Sequence, residues 1–154
     1  MADSIKARGT LNIDHITNGK VNSYYVPNTV VTLGKSIISS RLISGAYAPT
    51  DSIGWMSIGT GSSPIAAGDT TLGTEYMRLG PGSVTGSTTT TATTNDTSQW
   101  IGSFGVDAVT TVNEAGLFNA SGVDLGSMLS RTTFADISAI SGDQINVSWK
   151  VDFS

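Results

Sequence analysis

The sequence has 154 residues, no cysteine, 13% charged residues and a formal net charge of −4. That length suits one compact domain with a real hydrophobic core. The lack of thiols excludes disulfides and thiolate metal sites, and the acidic, thinly charged composition disfavours nucleic acid and membranes as partners. No apolar run approaches the roughly 20 residues of a transmembrane helix, and no signal peptide is expected in residues 1–20, MADSIKARGTLNIDHITNGK.

In chain order, residues 1–29 are expected to form an N-terminal arm, extended or ordered by a partner. Within it Tyr24, Tyr25 and Val26 are β-like, and Pro27 with Asn28 punctuates them. Residues 30–154 are expected to form the β-rich domain. In LGKSIISSRLI, Leu33, Ile37, Ile38 and Leu42 fall at helical spacing, which predicts one short amphipathic helix. GWMSIGTG, residues 54–61, reads as a buried strand that ends on glycines. SSPIAAGDTTLGTEYMRL reads as a long connection in which Asp69 caps a helical turn through Leu72.

GPGSVTGS, residues 80–87, is turn material. The Thr-rich run at 88–94 predicts an exposed strand or ribbon. In QWIGSFGV, Trp100, Gly102, Phe104 and Val106 share one parity, which gives a one-faced strand. EAGLFNASG and SMLSRTTFA form a hairpin, and ISGD turns the chain into QINVSWKVDFS. There Ile145, Val147, Trp149, Val151 and Phe153 alternate with polar residues. One helix and turn-separated strands without strand–helix alternation predict a mainly β fold. It should be an antiparallel β-sandwich or partly open barrel with one short helix.

No constellation for chemistry emerges, and no catalytic, cofactor-binding or metal-ligating residues are assigned. His15 is the only histidine and is expected at the surface. Gly34-Lys35-Ser36 ends like a phosphate-binding loop, but Thr29 stands where the first glycine is needed. The segment from Gly59 puts Pro64 where a dinucleotide fingerprint has its third glycine. Glu75 and Glu114 are the only glutamates, and the aspartates read as turn formers. Trp55, Trp100, Trp149, Tyr24, Tyr25, Tyr47 and Tyr76 are the aromatic candidates for sugar binding, with Trp100 and Trp149 assigned to the core.

Four segments in order carry a resemblance: TVVTLGKSIISSRLI, GWMSIGTGSSPIAAGDTTLGTEYMR, NEAGLFNASG with GSMLSRTTFADI, and DQINVSWKVDF. Over residues 30–154 the chain resembles a family of small structural proteins of tailed bacteriophages, whose strip also occurs in tail-fibre and tail-collar proteins. The resemblance implies a non-enzymatic virion protein without cofactors. The leading role is capsid decoration, or cement, on the outside of the head. A tail-fibre or baseplate adaptor is the alternative, and a carbohydrate-binding receptor module is an alternative of another class. The implied partners are the chain itself, taken as a trimer, and the major capsid protein or another virion protein. Tyr24, Tyr25, Phe118 and Arg131 are the interface candidates. Arg131 and Arg78 are rare charges within these segments, and one of the two is expected to pair with Glu75 or Glu114, within one subunit or across two.

Overall fold

The computed structural model describes residues 6–43, 52–123 and 125–153, with backbone alone for 39–43. Among them are nine strands and one helix: β1 (Ala7–Thr17), β2 (Lys20–Val30), α1 (Thr32–Ile43), β3 (Trp55–Gly59), β4 (Glu75–Leu79), β5 (Val84–Thr89), β6 (Thr97–Gly105), β7 (Thr110–Phe118), β8 (Met128–Ala139) and β9 (Gln144–Phe153). The strand order is β4-β3-β7-β8-β2-β1-β9-β6-β5, antiparallel throughout. β2 meets β8 only at Thr29↔Arg131 and Val30↔Ser130. The sheet folds over at that corner, and β4 returns against β6. The mainly β class with a single helix is therefore as expected, and the body is a nearly closed barrel.

Alternation builds the core. Leu11 and Ile13 of β1, Ile145, Val147, Trp149 and Val151 of β9, and Phe104 of β6 point inward from one side. Met56 and Ile58 of β3, Val112, Ala115 and Leu117 of β7, and Ile137 of β8 meet them from the other. Each such side chain contributes about 1.5–3 kcal/mol by leaving water. Trp149, the largest, is fully buried on a strand paired on both sides. Asn28 reaches its indole: with the amide oxygen turned inward it accepts from Trp149 Nε1 at 2.6 Å and Thr10 N at 3.1 Å. The Asn28 side chain crosses the Cα of Gly9, its cross-strand partner, where any Cβ would overlap the amide.

The expected arm over residues 1–29 is corrected. Residues 7–30 form a hairpin in the middle of the sheet, with β9 on one side and β8 on the other. Asn18 and Gly19, at φ 48° and 73°, make the two-residue turn with both positions left-handed that matches strand twist. The period-two signal in ARGTLNIDHIT is muted because Gly9 and His15 share the inward row with Leu11 and Ile13. Pro27 lies inside β2 and does not stop it, since its carbonyl, which accepts from Thr132 Oγ1 at 2.7 Å, faces away from β1.

Two further boundaries differ. Residues 75–79 are a strand, and 80–87 hold a turn followed by the first part of β5. The Thr-rich run is strand only to Thr89. Beyond it the backbone wraps the Asp96 carboxylate, which accepts from the amides of Thr91, Ala92 and Thr93 at 2.7–2.8 Å. Those N–H groups, Thr93's foremost, hold its pKa far below the ordinary carboxylate value. The predicted helix is present as α1, and Gly34 presses so closely on the Leu129 carbonyl that no side chain fits there.

Candidate functional site

The outer face of β4-β3-β7-β8 carries most of the charged chemistry of the interior. A β-bulge in β7 between Val112 and Glu114 changes the strand's parity. Val112 then faces the core, while Glu114, Gly116 and Phe118 face outward. Residues 60–74 lie over this row and close it off. Leu72 packs with Val31, Phe118 and Met128 in a second, smaller apolar cluster flanked by Leu33 and Trp55.

Glu114 is the anchor of that covering segment and is fully buried. Its Oε1 accepts from Gly61 N and Thr74 N, both at 2.8 Å. Its Oε2 accepts from Gly73 N at 2.9 Å and from Arg131 Nη2 and Nε at 2.8 and 3.1 Å. Gly61 must be glycine because a Cβ would strike this carboxylate. Arg131 reaches onward to Asp69 Oδ2 at 2.7 Å and to the Ser63 carbonyl at 3.3 Å. Burial alone would lower the Arg131 pKa, but its bonds to Asp69 and Glu114 outweigh that and hold it above the ordinary value. Asp69 also accepts from Ala66 N at 3.0 Å. It thus tightens a turn N-terminal to itself, and the expected helical cap through Leu72 is corrected.

A second pair lies on the same face. Glu75 accepts from Arg78 Nη2 and Nε, both at 2.7 Å, and from Ser57 Oγ at 3.1 Å. The Arg78 guanidinium stacks 4.0 Å above the Phe118 ring and donates to the carbonyls of Ala120 and Leu125. Both arginines therefore pair with the two glutamates, and both do so within one chain. Counted together, the face sets two guanidiniums against three carboxylates. Asp69, the most solvated of the five, absorbs the excess charge at the rim.

The chemistry open to this arrangement is narrow. Every oxygen of Glu114 is engaged by at least two donors, so it has no lone pair directed at a reactant. Its effect is to fix backbone: three amides of a segment without regular structure are satisfied by one side chain. Among the described residues no three His, Asp or Glu side chains converge as metal ligands.

His15 is placed differently from expectation. It is buried, with Nε2 2.8 Å from Asp143 Oδ2, because its position on β1 belongs to the inward row. Asp143 also accepts from Ile140 N at 3.0 Å across the β8–β9 turn. That amide first, and then the His15 bond, pulls the Asp143 pKa below its ordinary 3.8. A depressed carboxylate stabilises the fold above its unfolded pKa and loses that contribution as pH falls toward the folded value. Asp143→Ala is expected to be less stable than the natural chain at neutral pH. In urea titrations run between about pH 7 and about pH 2, the gap should narrow as Asp143 protonates. A gap of constant size would show that the carboxylate's charge is not what holds the turn.

The interface candidates separate. Tyr25 stands 72% exposed, and Tyr24 is half-buried against the core. Phe118 and Arg131 are corrected: Phe118 is fully buried and Arg131 nearly so, both beneath residues 60–74. Of the sugar-binding candidates, Trp149 is in the core and Trp100 and Trp55 pack against it or the smaller cluster. Trp100 Nε1 donates to the Ile53 carbonyl at 2.7 Å, and Tyr76 Oη donates to Asp107 at 2.8 Å. Tyr47 lies outside the described residues. Sequence reading missed the role of Asp143, because a turn Asp and a bonded partner of a distant histidine look alike in sequence.

Comparison with known proteins finds no matching family model, no similar curated protein and no similar solved structure.

Proposed function

We propose that this chain is a non-enzymatic structural component of a tailed-phage virion, in the first place a capsid decoration protein on the outside of the head. One observation supports the reading above the others. The charged residues of the strip that resembles phage structural proteins converge on one face: Asp69 of GDT, Glu75 and Arg78 of TEYMR, Glu114 of EAGLF and Arg131 of LSRTTF. The glycines of GTG and LGT supply the backbone they hold. A strip with this spacing acts as a clamp that makes an irregular segment rigid. Rigidity without a committed reactive group is what a cement between capsomers requires, because it works by holding its shape under load.

The test is direct. Purified protein added to undecorated heads is expected to co-sediment with them at a fixed ratio and to raise the temperature at which they release DNA. Failure to bind heads removes the decoration reading, and binding to tails in the same assay moves the chain to the adaptor role.

A further inference from the structure

We infer that the free edge of β2 is a self-pairing surface that joins two copies of this chain through an antiparallel, two-fold β-ladder centred on Ser23. In β2 the residues Lys20–Asn28 pair with β1 alone, because β8 diverges beyond Thr29. Thr17 and Lys20 flank a two-residue turn, so Lys20, Asn22, Tyr24 and Val26 aim their amides and carbonyls at β1. Val21, Ser23 and Tyr25 aim theirs away from it, on the side where the Pro27 carbonyl meets Thr132 of β8. None of these three has a backbone partner on that side among the described residues.

The edge matches itself. Centred on Ser23, a two-fold ladder sets Val21 of one copy opposite Tyr25 of the other, and each opposed pair exchanges both N–H···O bonds. Val21 and Tyr25 are 58% and 72% exposed and lie on one face of the strand. A β-branched residue opposite an aromatic one is a favourable cross-strand pair. The register also ends itself: Pro27, which has no amide to donate, falls opposite Gly19 in the partner's turn. Charge does not oppose it: Lys20, the one charged residue of β2, falls opposite the partner's Val26, and Asp14, one strand inward, already accepts from Ser23 Oγ at 2.6 Å. β8 beyond Arg131 also lacks a ladder partner on its β2 side, and the β5 edge offers Thr85, Gly86, Ser87 and Thr88, with no large apolar side chain to cover. The inference is independent of the virion reading, and its stoichiometry differs from the trimer that the resemblance implies.

The chain has no cysteine, so one substitution gives one thiol per copy. In a hydrogen-bonded pair the opposed Cα atoms lie about 5.5 Å apart, within disulfide reach. Under mild oxidation of the full chain, Ser23→Cys is expected to form a covalent dimer much faster than Ser87→Cys on the β5 edge. Equal rates overturn the proposal. Sedimentation of the natural chain should show a reversible monomer–dimer equilibrium, and Tyr25→Lys should weaken it at least about tenfold, with the melt unchanged at dilutions where both chains are monomeric. A monomer at every concentration, or a trimer that Tyr25→Lys leaves intact, also overturns it. The two-fold ladder further requires that the amides of Val21, Ser23 and Tyr25 gain hydrogen-exchange protection as concentration rises.

Discussion

Glu114→Ala is expected to be among the most damaging single changes outside the apolar core, at about 3–5 kcal/mol. The variant strands a buried guanidinium that keeps only Asp69 and the Ser63 carbonyl, and it leaves the amides of Gly61, Gly73 and Thr74 without their acceptor. In a domain of this size each kcal/mol moves the midpoint by about 2–4 °C, so a fall of roughly 6–20 °C should appear in the melt. Two companion variants separate the causes. Glu114→Gln keeps the volume but turns an amide N–H₂ toward donors, and about 2–3 kcal/mol should be lost. The double replacement Glu114→Leu with Arg131→Met removes both charges, as an apolar substitute for a buried ion pair should. It should recover only part of the loss, because three amides stay unpaired. Full recovery would mean that those amide bonds contribute nothing and that the carboxylate matters only as a counter-ion.

The second large effect is Trp149→Ala. Trp149 is fully buried at the centre of β9, between β1 and β6, and opposes both Leu11 and Trp100. Removing the indole empties the middle of the barrel, and strands paired on both sides cannot collapse to fill the space. A cost of about 3–5 kcal/mol is expected, read from guanidinium unfolding with an unchanged denaturant slope. Trp149→Phe keeps most of the volume and should cost about 1–2 kcal/mol, chiefly by leaving the inward-turned Asn28 oxygen with one donor fewer. If the Ala variant loses under about 1 kcal/mol, the core is not packed around this residue as described.

The legible parts of the sequence are those where one physical rule acts alone. β9 shows five apolar residues in strict alternation because both its faces and both its edges are settled by the same sheet. α1 forms where the spacing of Leu33, Ile37 and Ile38 predicts a helix, and it packs through Ile38 on the barrel core and Leu33 on the smaller cluster. Legibility fails where one residue answers to two demands. β1 puts a glycine and a histidine in its inward row, one to admit the Asn28 side chain and one to pair with Asp143, so its hydrophobic signal looked like that of an arm. In β7 the bulge reverses the parity midway, so Phe118 reads as an interface residue from the sequence, whereas a covering segment buries it. The rarity of charge gave the usable hint. In a chain this poor in ionic groups, Arg78 and Arg131 stand out within the strand-forming segments and point to one pair with a glutamate, and the fold makes two.

The pairing of β1 with β9 sets when this molecule can finish folding. β1 is made long before β9 and holds a half-exposed apolar row until that partner follows it. Closing contacts of such long sequence separation is slow, and a hairpin with a vacant neighbour is open to chaperones or to the wrong strand in the meantime. A fast-translated, highly expressed copy of this gene product should therefore lose more chains to aggregation than its final stability implies, and slowing elongation should recover them.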